Sequence, residues 1–145
     1  MLTKATKAVK VNEITRRWYI VDAKGKVLGR LASKVASVLM GKGKVNQSPN
    51  VDSGDYVIVI NASKVAVTGR KESDKMYYRH SGYPGGLKSA NLAKVREEKP
   101  EELIRHAVSG MVPHTRLGRL ILKKLHVYPG EKHEHEAQKP EKLEI

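Results

Sequence analysis

Tyr56-Val57-Ile58-Val59-Ile60 is a continuous apolar, mostly β-branched run with no polar residue at alternate positions. A strand that shows one face to water alternates polar and apolar side chains. A run without that alternation is buried on both faces, as strands in parallel sheets are. Upstream, Trp18-Tyr19-Ile20-Val21 is a second β-rich run, closed by the turn signal Asp22-Ala23-Lys24-Gly25. Between the two runs, Leu28, Leu31, Ala32, Val35, Ala36 and Leu39 recur at helical spacing, with Arg30, Ser33, Lys34 and Ser37 off the stripe. That is an amphipathic helix, stopped by Gly41 and Gly43. Strand, helix, strand in that order is a βαβ unit.

The rest of the chain extends this frame. Residues 42–55 are turn-rich and predicted as an exposed loop, and Lys64–Thr68 as another short strand. Residues 75–90 predict a strand, a tight turn and then extended chain, and Asn91–Glu98 a short helix. Pro100 sits at a first helical position with Glu101 and Glu102 in the first turn, where acids complement the helix dipole. Leu103, Ile104, Ala107, Val108 and Met111 supply that helix's apolar face, and Pro113 ends it. A last helix at about 117–125 precedes a final strand at His126-Val127-Tyr128. The predicted fold class is α/β: a single domain with a mostly parallel central sheet flanked by helices, a Rossmann-like three-layer topology without a nucleotide fingerprint. Its expected organisation is a basic arm at 1–15, the domain at 16–130, and an acidic, His-containing tail at 131–145, packed on the domain or extending from it.

Charge narrows the function. The 145 residues hold 28 Lys and Arg against 15 Asp and Glu, a net charge of +13. Like charges repel in the compact state, and solubility alone needs only a few of them, so this excess points to a polyanionic partner, above all nucleic acid. It is spread over the chain: +4 on residues 1–17, +5 on 18–70, +6 on 71–130 and −2 on 131–145. The folded surface itself therefore carries it. Zero Cys excludes a disulfide framework, a thiolate zinc site and cysteine catalysis. No run approaches the ~20 apolar residues of a membrane span, and the N-terminus lacks the apolar core of a secretory signal, which predicts a cytoplasmic location.

Arg116–Leu125 (RLGRLILKKL) is the most informative stretch. On a helix, Leu117, Leu120, Ile121 and Leu125 fall in one apolar arc, and Arg116, Arg119 and Lys123 fall within roughly 60° on the other side. No acid occurs in residues 103–130 to make this an ordinary solvated face, and arginine binds phosphate oxygens bidentately. Segment 71–88 carries Arg79, His80, Tyr83, Gly85, Gly86 and Lys88. Glycines let backbone amides approach a phosphate and tyrosine stacks on unpaired bases; a plain hairpin with packed tyrosines is the competing reading. Lys42 and Lys44, next to glycines, suit flexible phosphate contact. The first βα turn lies where a nucleotide sits on an open α/β sheet, but Gly25-Lys-Val-Leu-Gly29 is neither GxGxxG nor a P-loop. His133-Glu134-His135-Glu136 looks metal-like yet lacks H-E-x-x-H spacing, so a structural or peripheral role is favoured. Asp52 and Asp55 resemble paired carboxylates, but at i, i+3 in a Ser-Gly loop they read as turn chemistry. A small nucleotide-dependent α/β enzyme and a DNA-binding architectural protein remain as rivals: saturable mononucleotide binding with turnover would mark the first, preference for duplex DNA the second.

The segments 18–41 (WYIVDAKGKVLGRLASKVASVLMG), 51–71 (VDSGDYVIVINASKVAVTGRK), 80–88 (HSGYPGGLK), 110–119 (GMVPHTRLGR) and 125–138 (LHVYPGEKHEHEAQ) resemble, in this order, the bacterial large-subunit ribosomal protein thirteen family. The likeness covers about residues 14–145. It implies an α/β fold, binding to large-subunit (23S-type) rRNA, contact with neighbouring large-subunit proteins and a role in early subunit assembly in the cytoplasm. It implies no catalysis, cofactor, metal, membrane or small-molecule substrate. The motifs carry over Arg79, His80, Tyr83 and Lys88 in one loop, and His114, Arg116, Arg119, Lys123 and Lys124 in the turn and helix that follow. With Lys42, Lys44, Arg70 and Lys71 these are the candidate RNA contacts. Where the family commonly reads GKHKPxYTPHVDTGD, this chain has GKGKVNQSPNVDSGD at 41–55, so Gly43, Val45 and Asn50 replace two histidines and a proline. His114 stands where Lys or Arg is usual, which weakens one phosphate contact at neutral pH.

Overall fold

In the computed structural model, which describes residues 9–145, the two apolar runs lie side by side. Of the arm expected at 1–15, residues 1–8 lie outside the described residues. Strand β1 (Trp18–Asp22) leads through helix α1 (Leu28–Leu39) to β2 (Tyr56–Ile60), and β1 and β2 pair in parallel from Trp18↔Tyr56 to Asp22↔Ile60. All six residues of the predicted helical stripe are buried, as are Val57, Ile58 and Val59. Then come α2 (Lys71–Asp74), β3 (Met76–His80), β4 (Leu87–Asn91), α3 (Leu92–Glu98), α4 (Pro100–Ser109), α5 (Arg116–Leu122), β5 (Leu125–Val127) and β6 (Glu141–Lys142). The main sheet runs β5-β2-β1-β6, every pairing parallel, while β3 and β4 form a separate antiparallel hairpin. The expected α/β class, a mostly parallel sheet flanked by helices, is the one observed.

Register decides what each sheet face meets. Val21, Val59 and Val127 are in line across β1, β2 and β5, and pack with the α1 stripe and with Ile104 and Val108 of α4 in one core. The residues between them point the other way, and rings close that second face. Trp18 stacks on Tyr56 with centroids 4.3 Å apart and planes 7° from parallel. His126 lies 5.6 Å and His135 5.0 Å from the same indole. The chain after His135 returns to the sheet: β6 adds to the free edge of β1, and the Leu143 amide donates to the Ile20 carbonyl at 2.9 Å. The strand at 125–127 is thus not the last.

Other expectations are corrected. Lys64–Thr68 is not a strand. Asn61 takes a left-handed conformation (φ 58°), Ala62–Lys64 forms a 3-10 turn, and only Ala66 bridges Val27. The loop is exposed or half-buried from 42 to 52, but Ser53, Gly54 and Asp55 are buried. A Cβ on Gly54 would stand 1.6 Å from the Leu39 carbonyl oxygen, so this close approach to the end of α1 admits glycine alone. Helix α4 stops at Ser109, short of Pro113, and leaves Met111 exposed. Helix α5 stops at Leu122, so Leu125 belongs to β5, and Leu120 is 53% exposed instead of packed in the apolar arc.

Candidate nucleic-acid interface

Helix α5 is built to hold its cations still. The Thr115 hydroxyl caps it, accepting from the Gly118 amide at 3.2 Å. A Cβ on the buried Gly118 would stand 1.8 Å from the Pro113 carbonyl oxygen, so glycine lets the first turn press against that carbonyl. Ile121 is buried and Leu117 packs against the core. On the outer side Arg116, Arg119 and Lys123 are exposed, as is His114 just before the helix, and among the described residues none of the four is ion-paired.

The adjacent lysines divide. Lys124 is 4% exposed, and its ammonium donates to the Leu39 carbonyl at 3.2 Å and to Asp52 Oδ1 at 2.5 Å. Burial lowers its pKa, and the hydrogen bond and charge of Asp52 oppose that shift. The expectation that Lys124 contacts RNA is corrected: its charge is spent inside the fold. Lys44 is divided from Lys42 in the same way. Its ammonium donates to Asp55 Oδ1 at 2.6 Å and to the Thr15 carbonyl at 2.8 Å, while Lys42 is exposed. The two loop carboxylates therefore do more than shape a turn. Asp52 also meets the Arg16 guanidinium at 3.8 Å, and Asp55 also accepts from the Arg17 amide at 2.8 Å.

In the hairpin, Arg79 lies directly opposite Lys88. Both are exposed, and like charges directly opposite in an antiparallel pair are destabilising. No Asp or Glu occurs between residues 75 and 96 to offset them. His80 is oriented by the turn, its Nδ1 accepting from the Gly82 amide at 3.0 Å. Tyr83 stands exposed at the tip. Arg70 and Lys71 are exposed at the start of α2, whose Glu72 turns instead to Arg96 at 2.6 Å. The motifs pass over Arg30 and Lys34, exposed on the outer side of α1. Their position off the apolar stripe is the only sequence signal that they face water.

Among the described residues no group of three or more His, Cys, Asp or Glu side chains is arranged to hold a metal ion. His135 is instead a packing residue, its ring 4.4 Å from that of His126. No described helix is long and apolar enough to cross a membrane.

Fold and surface together define a small, strongly basic α/β protein whose unpaired cations are fixed on a capped helix and a hairpin. The model of the family described as Ribosomal protein L13 matches residues 16–134, and the chain belongs to that family, as its motifs led us to expect. The Large ribosomal subunit protein uL13 of Alcanivorax borkumensis is 59% identical to it over 140 residues, spanning 97% of this chain and 99% of that protein. Its namesake in Geobacter sulfurreducens is 55% identical over 98% of this chain and 99% of its own length. The family is structural and not enzymatic.

Proposed function

We propose that this protein is a structural constituent of the large ribosomal subunit that binds large-subunit rRNA and supports early subunit assembly in the cytoplasm. Recognition is of phosphate backbone and RNA shape. The narrow, deep major groove of A-form RNA keeps side chains from base edges, while fixed cations brace phosphates where helices converge. The exposed candidates carry this role: Lys42, Arg70, Lys71, Arg79, His80, Tyr83, Lys88, His114, Arg116, Arg119 and Lys123. Residues 16–130 form the RNA-binding domain, with the basic arm at 1–15 and the acidic tail at 131–145 as appendages, and neighbouring large-subunit proteins are its other partners.

One observation supports the reading most strongly: Arg79 faces Lys88 across the hairpin and, among the described residues, neither is ion-paired, an arrangement that a polyanion relieves. Sedimentation of large subunits through a moderate-salt wash tests it. The protein is expected to remain with the particle. Its loss at that salt, together with failure to bind protein-free large-subunit rRNA, would overturn the assignment.

A further inference from the structure

We propose that the outer face of the β3–β4 hairpin, centred on Tyr78, is a stacking site for unpaired nucleobases of the rRNA, an inference that rests on the rRNA-binding reading above. Side chains alternate along a strand, so Tyr77 and Arg79 share one face of β3, and Met76, Tyr78 and His80 the other. The inner face is identified by its packing. Tyr77 is half-buried with its ring 5.7 Å from that of His106 on α4, and burial pushes its hydroxyl pKa up.

The outer face is open. Tyr78 is 67% exposed, and Leu87, which pairs with His80 across the ladder, is 61% exposed. The residue opposite Tyr78 is Ser89, too small to cover an aromatic ring. An exposed tyrosine flanked by Met76 and Leu87 on a two-stranded ribbon is apolar surface left uncovered by the described residues.

Charge selects the occupant. Of the five cations in residues 75–96, Lys94 and Arg96 pair with Glu98 and Glu72, while Lys75, Arg79 and Lys88 on the hairpin have no ion pair among the described residues. A protein partner seated on the hairpin would have to supply the balancing carboxylates, whereas a nucleic-acid strand brings its own phosphates along with its bases. The dimensions also fit. Side chains two apart on a strand stand roughly 6.8 Å from one another, about twice the ~3.4 Å step between stacked bases. One base can therefore enter between Tyr78 and His80, whose ring the Gly82 amide already holds. The stacking is sequence-tolerant, because every base offers a π face.

The test is a salt series of equilibrium binding to protein-free large-subunit rRNA by wild type, Tyr78→Ala, Tyr78→Phe and the double variant Arg79→Ala/Lys88→Ala. Tyr78→Ala is expected to weaken binding by about 5- to 100-fold while leaving the slope of log affinity against log salt unchanged. Tyr78→Phe should restore the affinity, and the double variant should flatten the slope. Matching thermal melts of the Tyr78 variants confirm that the fold is kept. Unchanged rRNA affinity in Tyr78→Ala overturns the proposal. So does a defect that appears only during incorporation into particles, which would make the face a protein-docking surface. If wild type itself fails to bind rRNA, the functional assignment falls, and that outcome is distinct from both.

Discussion

The Lys124 ammonium stands 2.5 Å from Oδ1 of Asp52, inside the protein, and ties the entrance of β5 to the loop ahead of β2. The same ammonium donates to the Leu39 carbonyl, so one cation joins the end of α1, the loop and the sheet. Removing one partner of a buried pair strands the other. Lys124→Met is therefore expected to lower unfolding free energy by about 3 kcal/mol, measured by denaturant titration. In salt-dependent rRNA binding the variant should keep the wild-type slope, because the charge it removes is not at the surface.

Arg116 and Arg119 should behave in the opposite way. Both are exposed on a helix held by Leu117, Ile121 and the Thr115 cap, so Arg116→Ala/Arg119→Ala leaves the melting temperature essentially unchanged. Each phosphate that is no longer neutralised reduces the magnitude of the log–log salt slope by about 0.7–0.9, so the double substitution is expected to lower it by about 1.5. Unaltered affinity and slope would take α5 off the binding face.

The cross-strand pair Arg79–Lys88 predicts a trade between stability and binding. Lys88→Ala relieves a like-charge contact and should stabilise the free protein by a few tenths of a kcal/mol, read in chemical denaturation at low salt. It should also weaken rRNA binding. A variant that loses stability and binds normally would show that the two charges are not working against each other.

What the sequence disclosed follows the range of the forces involved. The α1 stripe and the β2 run are local patterns, and both elements formed where the pattern placed them. The burial of Lys124 depends on partners 72 and 85 residues away in sequence, and residue type alone assigns a lysine to the surface. Strand β6 is two charged residues, Glu141 and Lys142, without β propensity. It exists because β1 offers a free edge and because Leu143 and Ile145 can anchor on the core. Val65, Val67 and Thr68 carry strand chemistry, but the left-handed Asn61 and the hydrogen bonds from Asn61 and Ala62 to Gly130 and Tyr128 bend the chain away. Among the interface candidates, type and motif identified cations but could not separate Lys123 from Lys124 or Lys42 from Lys44.

The ring cluster on the second sheet face predicts a pH response. Burial pushes the His126 pKa below its ordinary value, and the charges of His135 and Arg105 push it the same way. An unfolded histidine takes its proton near pH ~6.5, whereas the folded one resists until lower pH. The stabilising contribution is thus fully present above about pH 6.5 and declines as pH falls through the folded value. Denaturant midpoints should be flat from about pH 8 to 7 and decline below about 6.5. His126→Phe keeps a ring against Trp18 and removes the titration, so it should flatten that decline. An undiminished decline would place its origin in another group.

The proposed role requires a rigid scaffold that presents exposed cations to folded rRNA. Equilibrium binding of the whole chain to protein-free large-subunit rRNA, and to duplex DNA of matched length, over a potassium chloride series tests it most directly. If about six of the exposed cations each meet a phosphate, the log–log slope for rRNA should be about −4 or steeper, with rRNA preferred at every salt concentration. A slope near −1, or equal affinity for the DNA duplex, would exclude this role.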